Sequence, residues 1–368
     1  MTTDSAAPTR RRRRWSAGRL AALGLVGMIG AALAILLHVA GDADRIAALL
    51  LSRASGAIAL EWRTSGPAWI AWRPLPRLVL TDLEARTADG HPLLRVRRAE
   101  VAVPWSTLRG DAVAIESIRI DGLAIDGDRV AAWWDALPPT PPSPWPRLDR
   151  LTVADASWRQ AGWQVDRGTL DLRGLAPGGH VVATAQARLR SLAEGPLDDG
   201  IELVTALDAT LGGDTSRPAL QDLDLRAGEP TDPDLLEVRG SIDLAAGWTA
   251  ALEGRLARWP DRLPALPAPF TPESPIAFSL TQQGDDPFRA TTRLRLSTDG
   301  GRAEVEGRPD ALRDWWDGKG GATALPPMAG TVRADALDLD GVRIEGLEIT
   351  TVEPATDAAT AAAGSDRR

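Results

Sequence analysis

Apolar and charged residues alternate along most of this chain, and this alternation constrains the possible folds more than any other feature. It begins after Gly56, with examples at residues 78–83, 118–121 and 292–296. Successive side chains of a β-strand point to opposite faces of a sheet, so a period of two gives each strand one apolar and one charged face. The sequence therefore predicts a mainly β fold built on an antiparallel, repeat-like twisted sheet.

Turn signals support short connections between the strands. Asp121-Gly122 and Asp340-Gly341 each stand between two alternating segments. Asp-Gly is typical of tight hairpin turns because these turns need residues that tolerate a positive φ. We expect a meander of hairpins, with one hairpin turn at each Asp-Gly pair.

Two proline-rich stretches, residues 137–146 and 263–275, interrupt the alternation. Proline lacks the amide donor of a central strand, so neither stretch fits inside the sheet. They divide the β part into a first region at 41–136, which includes a short helix, and a second region at 147–353. Trp315-Trp316 and the glycines after it predict a short helix and a loop, and the region after 353 predicts a disordered tail at 354–368.

The first forty residues predict a membrane anchor. Five consecutive arginines at 10–14 precede a run without formal charge at 20–40, which as a helix spans about 30 Å, the thickness of a bilayer core. The positive-inside rule places residues 1–19 in the cytoplasm and exports the remainder. A cleaved signal peptide is the alternative, but its apolar region is usually shorter. After the anchor, Asp42 predicts the N-cap of a short helix that ends before Gly56.

Composition excludes several classes of function. The chain has no cysteine, three histidines and a single lysine, so thiol chemistry is impossible and histidine metal clusters have almost no ligands. With 42 basic and 50 acidic residues it carries a net charge of −8, which disfavours nucleic acid as a partner. The acidic side chains alternate with apolar ones, as expected on the wet face of a sheet. We therefore predict a protein that is not an enzyme and that needs no cofactor and no metal.

Tryptophan is the preferred aromatic residue, with 14 tryptophans, three phenylalanines and no tyrosine. Trp62, Trp69 and Trp72 follow soon after the anchor. Indole prefers the membrane-water interface, so these three are candidates for contact with the bilayer. Core packing at a sheet edge is the alternative.

Residues 42–126 resemble the N-terminal region of the AsmA family of bacterial envelope proteins. After the anchor and the short helix come a strand at 56–60, the tryptophan-proline element Trp72-Arg73-Pro74-Leu75-Pro76-Arg77-Leu78-Val79-Leu80, and alternating segments at 92–103 and 113–123. The chain is shorter than well-known members of that family. The resemblance implies a single-pass protein of the bacterial inner membrane whose bulk lies in the periplasm, similar to bridge-like lipid-transfer proteins. The implied partners are phospholipid or another membrane lipid, the inner membrane and an outer-membrane or envelope protein.

A twisted sheet with one apolar face can curl into a groove that accepts acyl chains. The expected function is therefore lipid binding in support of phospholipid transport or outer-membrane assembly and integrity. The same face can also close on itself as an ordinary sandwich core. An assembly or adaptor protein, similar to the N component of type II secretion systems, is the competing function. The candidate groove or membrane-interface residues are Trp62, Trp69, Trp72, Leu78, Leu80, Val101, Val103, Ile115, Ile118 and Ile120.

Overall fold

The computed structural model describes residues 60–87, 89–106, 114–136, 145, 147–192, 199–215, 217–244, 247–260, 274–285, 289–316, 327–339 and 342–351. Several predicted segments lie outside them: the N-terminal tail, the anchor, the short helix before residue 56, the strand at 56–60 except its last residue, most of the proline-rich stretch at 137–146, nearly all of the stretch at 263–275, the loop after Trp316 and the C-terminal tail at 354–368.

Seventeen strands account for most of the described chain. The first nine are β1 Glu61–Thr64, β2 Trp69–Ala71, β3 Arg77–Arg86, β4 Pro92–Ala102, β5 Ala114–Asp126, β6 Arg147–Gln160, β7 Trp163–Leu175, β8 His180–Ser191 and β9 Ile201–Gly213. The others are β10 Pro218–Glu229, β11 Asp232–Asp243, β12 Trp248–Leu256, β13 Ile276–Gly284, β14 Thr291–Thr298, β15 Gly301–Gly307, β16 Met328–Leu339 and β17 Val342–Thr351. Two helices complete the elements, α1 Gly127–Ala136 and α2 Pro309–Trp316.

The strands form one sheet in chain order. From β3 to β17 each strand pairs with the next, and β1 and β2 pair one after the other with the free side of β3. Every pairing is antiparallel except that of β5 with β6, which is parallel. A parallel pair needs a crossover connection, and α1 lies in that connection. The prediction of a mainly β protein with a largely antiparallel sheet is confirmed, but the described sheet is uncurled and does not form the predicted groove.

The sheet continues across both proline-rich stretches. β5 pairs with β6 on either side of the first stretch, and β12 pairs with β13 on either side of the second. The prolines therefore lie in connections between strands that are neighbours in the sheet.

The hairpin predicted at Asp121-Gly122 is wrong. β5 runs through both residues as one strand, and Gly122 takes a φ of 68° in its middle. A Cβ on Gly122 would lie 2.8 Å from the guanidinium carbon of Arg97, whose Nη2 is 3.2 Å from Asp155 Oδ2. The glycine therefore leaves room for Arg97 of β4 to reach Asp155 of β6 across β5. It does not turn the chain. By contrast, Leu339 pairs with Val342 on either side of the second Asp-Gly pair, which confirms that hairpin.

Positive φ angles also occur within the neighbouring strands, at Asp82 in β3 and Asp155 in β6. Such irregularities shift the phase of the alternation by one residue. As a result Leu80 and Leu83 are both buried, although an odd spacing of three positions would place them on opposite faces of a regular strand. In the first strands, the apolar side chains before and after the irregular residue therefore lie on the same face of the sheet.

The main hydrophobic core lies on that face, from β1 to β6. Ile118 and Leu148 are fully buried there, and Val130 of α1 belongs to the same cluster. α1 contacts β4, β5 and β6, so it covers part of their apolar face. Asp126 caps this helix, because its Oδ1 accepts the amide N–H of Arg129 at 3.1 Å.

α2 confirms the short helix expected around Trp315-Trp316. Within the described ranges, neither helix is long and apolar enough to cross a membrane.

Candidate functional site

A continuous row of cross-strand partners crosses the sheet from β3 to β17. Directly paired residues of neighbouring strands point to the same face, so all members of the row share one face. With one exception, a glycine, they carry apolar side chains. The row consists of Leu78, Val101, Ile118, Leu151, Leu172, Ala183, Leu207, Leu225, Val238, Gly254, Phe278, Leu296, Ala303, Val332 and Ile349. We call it the apolar row.

Strand spacing gives the apolar row a length of about 67 Å, because neighbouring strands lie about 4.8 Å apart. Its single glycine does not leave a gap. The ring of Phe278, the partner of Gly254 on the next strand, lies so close that a Cβ on Gly254 would be 2.4 Å from it. The apolar surface therefore runs across fifteen strands without a charged side chain.

Exposure changes along the apolar row. Leu78, Val101, Ile118 and Leu151, on β3 to β6, are buried under the main core. From β7 onward most members are only partly buried, and Ile349 on β17 is 49% exposed. No described helix contacts β7 to β17 to the extent that α1 contacts β4 to β6. The row thus leads from a covered half, β3 to β6, into a half from β7 to β17 in which Val238 and Ala303 are buried and the other members keep contact with solvent; we call the second part the open half.

A second apolar row runs beside the first from β10 to β15. Its members are Leu223, Gly240, Leu252, Leu280, Leu294 and Val305. Adjacent rows on one face are two residues apart along each strand, or about 7 Å. Together the two rows make an apolar strip wide enough for hydrocarbon chains that lie side by side.

A buried polar cluster borders this strip. The indole N–H of Trp248 donates to Oε1 of Gln282, and Nε2 of Gln282 donates to Oγ1 of Thr292 at 2.8 Å. Gln282 is only 9% exposed, so these bonds satisfy an amide that would otherwise be costly to bury. Trp248 also belongs to a small hydrophobic cluster with Leu244, Ala250 and Ala290, and Leu280 of the second row packs against it.

The opposite face of the sheet is charged. Directly opposed residues form ion pairs, such as Arg295 with Glu304 at 3.0 Å and Arg333 with Glu348 at 3.0 Å. The hydrogen bond from Arg295 lowers the pKa of Glu304. On β7, hydrogen bonds from Arg173 and then Arg150 lower the pKa of Asp171. These pairs are exposed and each contributes little stability, but together they keep this face in water and leave the other face as the apolar one.

The predicted site residues fall into two groups. Eight of them lie in the main core: Trp62, Leu78, Leu80, Val101, Val103, Ile115, Ile118 and Ile120. The other two, Trp69 and Trp72, are exposed at 38% and 47%. Three of the eight, Leu78, Val101 and Ile118, belong to the covered half of the apolar row. The open half was missed, although its alternating segments at 223–226 and 292–296 carry the same signal, because the sequence alone does not reveal which strands remain uncovered.

Trp72 lies at a corner of the sheet together with Trp105, which sequence reasoning did not single out. The two rings stack with centroids 6.5 Å apart and an angle of 23° between their planes. The indole N–H of Trp105 donates to the carbonyl of Pro74 at 3.1 Å, which ties the Trp72 turn to the end of β4. Nearby, the guanidinium of Arg98 lies 5.5 Å from the ring centroid of Trp69.

A cavity of about 330 Å³ opens where β4 begins and β5 and β6 end. Its walls include Leu94, Ile125 and Trp158. Two of its arginines are already paired, Arg95 with Glu84 at 2.9 Å and Arg129 with Asp126 at 3.2 Å. The described residues contain no group of three acidic or histidine side chains arranged to hold a metal ion.

Comparison with known proteins adds no identification. No family model, no curated protein and no solved structure matches this chain.

Proposed function

We propose that this protein is a non-enzymatic envelope-biogenesis protein that binds lipid acyl chains on its apolar sheet face and supports phospholipid transport or outer-membrane assembly and integrity. The observation that carries the proposal is the apolar row, which continues over fifteen strands and whose members are mostly only partly buried from β7 onward.

Acyl chains suit this surface for a physical reason. Apolar area in contact with water costs about 25 cal/mol per Å², and an acyl chain removes that cost without asking for hydrogen bonds. A protein partner also brings backbone amides and carbonyls, which an apolar strip cannot satisfy. In the proposal, the open half of the uncurled sheet bends around bound acyl chains to form a groove.

The direction of the row fits a role between membranes. The predicted anchor at 20–40 precedes β1, which lies on the first edge of the sheet, and the row leads from that edge toward β17. Membership of the AsmA family, attachment to the inner membrane and a periplasmic location belong to this proposal. Lipid would bind and move along the row from β7 onward, beyond the strands that the main core covers, without a catalytic residue.

A charge placed in the row tests the proposal. The full chain carrying Leu225→Asp is compared with the full chain carrying Arg226→Asp, since these adjacent residues of β10 point to opposite faces. Phospholipid per chain is measured by mass spectrometry after purification in detergent. Lipid around the anchor is the same in both variants, so any difference reports on the sheet. We expect Leu225→Asp to lose bound phospholipid and Arg226→Asp to retain the wild-type amount.

The magnitude follows from desolvation. An unpaired carboxylate under an acyl chain costs about 2 kcal/mol or more, which corresponds to roughly a thirtyfold loss of affinity. Equal phospholipid content in the two variants would contradict the proposal.

One observation favours a second candidate, an assembly or adaptor protein. The outer edge of β17 has no partner strand in the described part of the chain, and Ile344 and Ile349 on this strand are exposed. An open edge of this kind can accept a strand from another protein. Photo-crosslinking from Thr350 separates the candidates, because an adaptor gives a defined protein adduct there whether or not Leu225→Asp is present.

A further inference from the structure

The corner formed by Trp72, Trp105 and Arg73 has features of a membrane contact. Trp72 is 47% exposed and Trp105 is 39% exposed, although both are large and mainly apolar. The two rings stack on each other, and Trp105 donates a hydrogen bond to Pro74. These contacts hold both rings in place without burying them. The two adjacent indoles form one contiguous exposed apolar patch rather than scattered single side chains, and contiguous patches with a polar rim are typical of binding surfaces.

Charge indicates what binds there. Arg73 is exposed beside Trp72, and among the described residues no carboxylate lies within ion-pair distance of it. An indole ring with a nearby free cation matches the boundary of a bilayer, where acyl carbon lies next to phosphate. The indole N–H groups then meet lipid carbonyls or water, which a purely apolar protein pocket does not offer.

The position of the corner agrees with this partner. It lies on the first edge of the sheet, where β2 pairs with the beginning of β3. The chain enters the same edge through β1, which pairs with the end of β3. β3 has ten residues, so nine steps of about 3.3 Å separate the two points by about 30 Å. The chain entry at β1 and the tryptophan corner at β2 would together hold this edge of the sheet along a membrane. The apolar row would then point away from the membrane.

We propose that Trp72 and Trp105 insert into the headgroup region of the bilayer that holds the anchor, with Arg73 on lipid phosphate, as a second point of attachment. The proposal rests on the proposed function only for the presence of the anchor. It assigns the orientation of the sheet, with the strands parallel to the membrane plane and the long axis of the sheet pointing away from it.

The absence of cysteine allows a direct test in the full chain. A single nitroxide label is placed at Ser106→Cys, beside Trp105, or at Thr350→Cys on the far edge, and both positions are exposed. Each protein is reconstituted into vesicles of phosphatidylethanolamine and phosphatidylglycerol. Collisions of the label with oxygen, which concentrates in lipid, are compared with collisions with a water-soluble nickel chelate. We expect lipid-like accessibility at position 106 and water-like accessibility at position 350.

Substitution of the tryptophans shows whether they cause the contact. Trp72→Ala with Trp105→Ala should return the label at position 106 to the water-like value of position 350. Trp163→Ala removes a tryptophan that is 44% exposed elsewhere on the sheet and serves as the matched control, with no change expected. Circular dichroism confirms that each variant keeps its β content.

Two results would overturn the inference: a water-like label at position 106 in the unsubstituted chain, or a lipid-like label that survives the double substitution. Either result leaves phospholipid bound to the apolar row unaffected, so failure of the corner and failure of the proposed function are distinguishable.

Discussion

Ile118 and Ile349 provide a matched comparison within the apolar row. They are the same residue type on the same row, but Ile118 is fully buried and Ile349 is 49% exposed. Replacing Ile118 with alanine removes about three methylene equivalents and leaves a cavity, so we expect a loss of about 2–5 kcal/mol. Ile349 is half exposed, so its burial contributes only about half of the free energy that full burial would give, and its truncation leaves no cavity. With about 0.8 kcal/mol per methylene, Ile349→Ala should cost about 1.2 kcal/mol or less.

Hydrogen exchange followed by mass spectrometry measures both sites in the full chain, because it reports on each strand separately. A factor of ten in the opening equilibrium corresponds to 1.4 kcal/mol, so exchange of the slowest β5 amides should accelerate at least about thirtyfold in Ile118→Ala. In Ile349→Ala the acceleration in β16 and β17 should stay below about sevenfold. An equal effect at both sites would refute the reasoning, since it would mean that the far half of the row is packed as a closed core.

Three further predictions concern local features of the fold. Asp126→Ala removes the cap of α1 and should destabilise that helix by about 0.5–2 kcal/mol, seen as faster amide exchange in α1 alone. Gly254→Ala places a Cβ 2.4 Å from the ring of Phe278 and from the carbonyl oxygen of Glu237, so we expect loss of protection in β11 to β13; unchanged protection would show that the ring moves aside without cost. The pKa of Asp171 is lowered in the folded protein, mainly by the hydrogen bond from Arg173, so its stabilising contribution is present above the unfolded pKa near 4 and is lost as the pH falls through the lower folded value. Asp171→Asn should therefore reduce the acid-induced decrease of the urea midpoint, and an unchanged pH profile between pH 2 and 5 would count against this ion pair.

Much of the sheet could be predicted from the alternation of residue types. The period of two identifies strands because it reflects which face each side chain occupies, and that property is local. The helix after β5 was missed even though Asp126 and the spacing of Val130 and Trp133 are typical of a capped amphipathic helix. The helix is short and lies between two strands with strong alternation, so the alternation on both sides hides its weaker pattern.

The Asp121-Gly122 error has a different cause. A positive φ at a glycine is required both by a hairpin turn and by an irregularity within a strand, and the sequence alone does not distinguish them. The difference depends on Arg97 and Asp155, which come from two other strands. Contacts of this kind between distant segments are not visible in local sequence patterns.

The alternation of residue types predicts an apolar face, but not which strands of that face the core covers. Leu78, Val101 and Ile118 were selected because the resemblance drew attention to the first region of the chain. The structure buries these residues and leaves Leu225 and Leu296 in the open half of the same row. The difference depends on which strands the main core covers, and that coverage is a matter of tertiary packing rather than of hydrophobicity.

The most direct test of lipid binding is photo-crosslinking in living cells from adjacent residues on opposite faces. A photoreactive phenylalanine analogue is placed in the full chain at Leu225 or Leu296 on the apolar row, and at the neighbouring Arg226 or Ser297 as controls. After irradiation, phospholipid attached to the purified chain is measured by mass spectrometry. We predict phospholipid adducts at Leu225 and Leu296 and none at Arg226 and Ser297. Adducts at neither pair, or at both pairs equally, would contradict the claim that the apolar face binds acyl chains.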